Sequence, residues 1–71
     1  MIIAGVEIKH DFLFETVKLT AEENGITDVN VIVNSYEELY NNTVAKRKSW
    51  NCKMIEEILQ KNNRRLLWNM Q

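Results

Sequence analysis

The chain is 71 residues long, 45% hydrophobic and 27% charged, with a formal net charge of −1; that is room for one folded domain, residues 1–71, and too little net charge for a disordered chain. Its single cysteine, Cys52, excludes an internal disulfide, and with a single histidine, His10, the usual structural zinc sets cannot be assembled within one chain. At this size the apolar core is marginal, so oligomerisation or another partner is the expected stabiliser.

The opening "MIIAGVEIKH" lacks the cationic start of an export signal, and no stretch approaches the roughly 20 apolar residues of a membrane span. A reducing, cytoplasmic setting is therefore expected. "IIAGVEIK" is β-branched with partial alternation and predicts a strand, with Gly5 marking a bulge or a close backbone approach. In "HDFLFETVKLTAEENGITD", Asp11 predicts an N-cap, and Leu13, Val17 and Ala21 fall four apart on one helical face beside Phe14. "AEENG" followed by Ile26 predicts the helix end, with Gly25 in the left-handed position. "DVNVIVN" then alternates Val29, Val31 and Val33 against Asn30, Ile32 and Asn34, the pattern of a half-buried strand. Ser35, followed three residues later by Glu38, has the capping-box spacing, and Tyr36, Leu39, Tyr40 and Val44 mark one face of the helix it would open. Ser49 predicts the cap of a last helix. Its face carries Trp50, Met54, Ile55, Ile58, Leu59, Leu66 and Leu67, with Asn62-Asn63 as the weak point.

These elements give an α+β class: a small single domain with a β-α-β unit, parallel strands, then two helices, the C-terminal one longest. The alternative is mainly α. Ala21, Gly25, Ile26 and Val31 stand at four positions that resemble the helix-turn-helix of repressor-type regulators, over about residues 17–34, with Thr27 as cap of the second helix. That resemblance implies a recognition helix at 29–34. The segment departs from the pattern where Asn34 replaces an apolar residue, and every valine and isoleucine in it would lose side-chain freedom in a helix.

No enzymatic signature stands out. His10 and Asp11 are adjacent, and neighbours on extended chain point to opposite sides. Cys52 has Lys48 and Lys53 nearby but no histidine close in sequence. The pairs Glu22-Glu23, Glu37-Glu38 and Glu56-Glu57 splay around their helices instead of converging. No cofactor, metal or small-molecule substrate is expected.

Charge is laid out unevenly. Residues 1–40 hold eight acidic and two basic side chains, whereas residues 41–71 hold seven basic and two acidic. An acidic half joined to a basic half predicts a polyanionic partner or self-association, against local cancellation within one monomer. The candidate nucleic-acid contacts are Lys46, Arg47, Lys48, Lys53, Lys61, Arg64 and Arg65. On one continuous helix, residues 48 and 65 would stand about 25 Å apart. The candidate dimer or partner surface is Trp50, Met54, Ile58, Leu66, Leu67 and Trp68. The expected function is a small non-enzymatic regulator that contacts nucleic acid as a homodimer. The alternative is a protein–protein interaction module (an inhibitor, adaptor or self-assembling subunit) that uses the last helix.

Overall fold

The computed structural model describes residues 2–69, with side chains to residue 65. A two-stranded hairpin, β1 (Ile2–Ile3) and β2 (Val6–Glu7), precedes three helices, α1 (Asp11–Glu23), α2 (Val29–Asn42) and α3 (Cys52–Asn69), with a single 3₁₀ turn over Val44–Lys46. The hairpin strands are antiparallel, Ile2 opposite Glu7 and Ile3 opposite Val6. Between them Ala4 (φ 51°) and Gly5 (φ 80°) both take positive φ, the requirement of a type I′ turn. Gly5 therefore makes a chain reversal, not a bulge, and the single strand expected at residues 2–9 is two short ones.

The face expected on α1 is the buried one: Leu13, Phe14, Val17 and Ala21 are at most 4% exposed. The cap is displaced by one residue. His10 Nδ1 accepts the Leu13 N–H at 3.0 Å, which places the neutral ring's proton on Nε2. Asp11 is instead the first helical residue, where its charge meets the positive end of the helix dipole. Gly25 closes α1 as expected. The Ile26 N–H donates to Ala21 O at 2.8 Å and the Gly25 N–H to Glu22 O at 3.1 Å, with Gly25 at φ 72°. Ala21 and Ile26, both buried, supply the apolar contact that accompanies this Schellman arrangement.

The strand expected over residues 29–34 is the first two turns of α2, so the β-α-β unit and its parallel pairing do not form. Asp28 caps this helix, accepting the Asn30 N–H at 2.8 Å, where Thr27 was the expected cap. The burial pattern shows why the helix wins. Val31, Ile32 and Val33 are all buried, followed by Ser35, Tyr36 and Leu39, while Val29 is 46% exposed. Three consecutive buried residues cannot share one face of a strand, whose side chains alternate. Four β-branched residues cost this helix about 2 kcal/mol relative to alanine, but burying Val31, Ile32 and Val33 against α1 and α3 contributes about 1.5–3 kcal/mol each. A hairpin of two-residue strands offers no sheet that could bury them instead.

Ser35 lies inside α2, not ahead of it. It is completely buried, and its Oγ accepts Asn62 Nδ2–H at 2.9 Å, which holds α3 against α2. Glu38, expected in a capping box, pairs with Lys61 of α3. Both of those side chains are partly exposed, so the ion pair adds at most about 1 kcal/mol. Asn51, not Ser49, caps α3: its Oδ1 accepts the Met54 N–H at 2.9 Å. Asn62-Asn63 do not interrupt this helix, which runs 18 residues and is the longest element. Ile55 and Leu59, both fully buried, insert α3 into the core formed by α1, α2 and Ile8 of the hairpin arm. The result is one small domain in which a two-stranded hairpin accompanies three mutually packed helices. Among the described residues, no helix is long and apolar enough to cross a membrane.

Candidate nucleic-acid interface

Thr43 builds the turn that presents the basic cluster. Fully buried, it donates its hydroxyl to Leu39 O, and its own carbonyl accepts the N–H groups of Lys46 at 3.1 Å and Lys48 at 2.7 Å. The Arg47 N–H donates to Val44 O at 3.1 Å, and Arg47 sits in the left-handed region at φ 57°. The hydrogen-bond pattern is the one that closes α1, with Arg47 in the place that Gly25 fills there. Lys46, Arg47 and Lys48 are all exposed, and among the described residues none of them has an acidic partner. The cations are therefore held on a fixed backbone with their charges in water.

An aromatic group stands beside that turn. Trp50, half-buried on the core, meets the edge of His10 at 5.4 Å between ring centroids, with an interplanar angle of 87°. Phe12, 70% exposed, is tilted against Trp50 at 6.2 Å. The segment carrying His10 and Phe12 is pinned from below. The Tyr36 hydroxyl accepts both the Lys9 and His10 N–H groups at 3.0 Å, and Tyr36 is itself buried against Phe14, edge to face at 5.8 Å. Thus α2 fixes the start of α1, and the start of α1 fixes Phe12 over Trp50.

The remaining basic residues are dispersed. Lys53 is exposed in the first turn of α3, and Lys61, engaged by Glu38, lines an open groove with Arg64, Arg65, Asn24, Gln60, Glu56 and Glu57. That groove mixes both signs, Arg64 and Arg65 sharing it with Glu56 and Glu57 while Lys61 is paired with Glu38. Because α3 begins at Cys52, Lys48 and Arg65 do not share one continuous helix, and the cations form two separate groups. Of the expected partner surface, Trp50, Met54 and Ile58 are half-buried against the domain's own core. The side chains of Leu66, Leu67 and Trp68 lie outside the described residues.

Phe12 and His10 complete the cluster but were not expected there. The sequence does hold one signal for Phe12: it falls off the Leu13–Val17–Ala21 face, seven residues from the equally outward Leu19, 57% exposed. Cys52 is exposed at the start of α3. Among the described residues, no group of three His, Cys, Asp or Glu is placed to hold a metal ion.

The outward side of α2 bears Asn30, Asn34, Glu37 and Asn41, all exposed. This helix contains no Lys or Arg, and α1 through α2 hold seven acidic residues against Lys18. Placing α2 in a duplex groove would bring Asp28, Glu37 and Glu38 toward phosphates. Its electrostatics oppose the recognition-helix role that the helix-turn-helix resemblance implied. Compared with protein-family models, curated proteins and solved structures, the chain matches none.

Proposed function

We propose that this chain is a small non-enzymatic regulatory protein that contacts nucleic acid through its basic turn, Lys46, Arg47 and Lys48, extended by Lys53. The carrying observation is that turn: three exposed cations, without an acidic partner among the described residues, held by the buried Thr43 two residues ahead of Trp50. Each phosphate they neutralise releases counterions, which gives an affinity that rises as salt falls. Arg64 and Arg65 add to the field around the domain without forming part of the same contact.

The test is an anisotropy titration of labelled random-sequence DNA and RNA with the full chain across a salt series. Log affinity should fall linearly with log salt, and joint replacement of Lys46, Arg47 and Lys48 by Gln should remove most of that dependence. Failure to bind either polymer at low salt overturns the reading, because the phosphate contribution is then largest.

A second reading, protein docking, is favoured by a separate observation: Phe12 and Leu19 lie exposed on the outer side of α1. Paired with a second copy, that side would form the homodimer expected of so small a chain. Sedimentation over a wide concentration range tests it. A mass that stays at one chain removes self-association, and the nucleic-acid contact does not require it.

A further inference from the structure

Resting on that reading, we infer that the nucleic acid bound at the basic turn is single-stranded, with an unpaired base stacked on Phe12. An aromatic side chain is the residue type whose burial yields most, and Phe12 is left 70% in solvent. Nor is it a loosely held ring. The His10 cap and the Phe14 N–H to His10 O bond at 3.1 Å set its helical turn, the Tyr36 hydroxyl clamps the residues before it, and Trp50 backs it. A fixed ring with one face open loses little freedom when a base settles on it.

The charges lie where a strand leaving that ring would run. Lys48 is two residues from Trp50, so their Cα atoms are within about 7 Å, and Lys53 is three residues beyond it. Lys9, exposed, precedes His10 in the chain but lines a separate small cleft with Glu7, Tyr36 and Glu37. With Lys46 and Arg47, Lys48 and Lys53 make four cations within four residues of Trp50 in the chain, and Asp11 and Glu15 are the acidic residues of the first turns of α1 beside Phe12. A duplex keeps its bases stacked inside, out of reach of an exposed ring on the surface of this domain. Splayed-out bases on an aromatic platform beside a basic track are the chemistry of single-strand binding.

The test uses the full chain with an oligothymidylate, a ribo-oligonucleotide of equal length and a duplex of equal length, at low salt. Labelled-oligonucleotide anisotropy gives affinity. In a second series, Trp68→Phe leaves Trp50 as the one tryptophan, and its fluorescence reports stacking nearby. Expected are tighter binding to single strands than to the duplex, quenching of Trp50, and a loss on the order of 5- to 150-fold for Phe12→Ala at unchanged salt slope. Phe12→Leu should lose affinity as well, since it keeps apolar bulk but no π face. An exposed position makes both variants fold-neutral, which a thermal melt confirms. Equal or tighter duplex binding, or full affinity in Phe12→Ala or Phe12→Leu, overturns the inference and leaves the proposed function standing. Absence of binding to all three polymers overturns both. A Phe12→Ala variant that binds nucleic acid normally but loses a concentration-dependent dimer assigns the ring to protein docking and likewise overturns it.

Discussion

Replacing Arg47 by Gly should move stability and nucleic-acid binding in opposite directions. Arg47 occupies the left-handed position of its turn at φ 57°, where a Cβ crowds the following carbonyl oxygen. That conformation costs an L-residue about 1–2 kcal/mol, and glycine pays no such cost. Against this, glycine loosens the unfolded chain by about 0.4–1 kcal/mol, so the net gain centres on about 0.8 kcal/mol within a span of about 0–1.6 kcal/mol. No side-chain hydrogen bond or ion pair of Arg47 is sacrificed among the described residues, and the bonds that close the turn are all backbone to backbone. For a domain this small the central value raises the melting temperature by about 3–6 °C, with the urea midpoint raised at unchanged m-value. The same variant loses one of three clustered cations, so its salt slope for oligonucleotide binding should fall by about 0.7. Gly25→Ala is the mirror experiment. A Cβ there meets nothing within 4 Å, so its cost is backbone alone, about 1 kcal/mol of lost stability. A lower melting temperature for Arg47→Gly would refute the assignment of strain to this turn. A simultaneous gain in affinity would refute the role of Arg47 in binding.

Three further outcomes check the packing. Leu59→Ala should cost about 2–5 kcal/mol, a large part of the stability of so short a chain, seen as loss of a cooperative melt near room temperature. A cost under about 1 kcal/mol would mean that α3 is not seated through Leu59. Ser35→Ala removes the acceptor for half-buried Asn62 but improves local helix propensity, so a net loss of about 0.5–1 kcal/mol is expected by urea denaturation. A stabilised variant would show that the α2–α3 hydrogen bond contributes nothing. Ala4→Asn should raise the melting temperature by a few degrees at most, since asparagine accepts the positive φ that the hairpin turn imposes on residue 4.

The stretch 29–34 shows where local pattern stops deciding. Over six residues, alternation and helical period mark almost the same apolar positions, and valine and isoleucine favour the strand. Reading further does not separate the two, because Tyr36 and Leu39 continue a helix that the local pattern starts at Ser35. What separates them is what surrounds the segment: Val31, Ile32 and Val33 are all buried in one core with residues of α1 and α3. Capping shows the same limit on a smaller scale. His10 and Asp11, Thr27 and Asp28, Ser49 and Asn51 are pairs or near pairs of competent caps, and the choice follows from where each helix must begin to seat its buried face.

By itself the sequence determined the features that need only covalent neighbours. Gly25 ends α1, because only a residue without a Cβ takes that turn freely. Leu13, Val17 and Ala21 face the core, because their spacing puts them on one side of any helix. Lys46, Arg47 and Lys48 stay in water, because adjacent cations find too few partners to be buried. Tertiary structure alone decided between the strand and the helix that the sequence allowed at 29–34, and decided that Ser35 and Asn62 meet and that Phe12 is left outside against Trp50. Each of these depends on which surfaces remain once three helices have covered one another, and that remainder is set by contacts between residues distant in the chain.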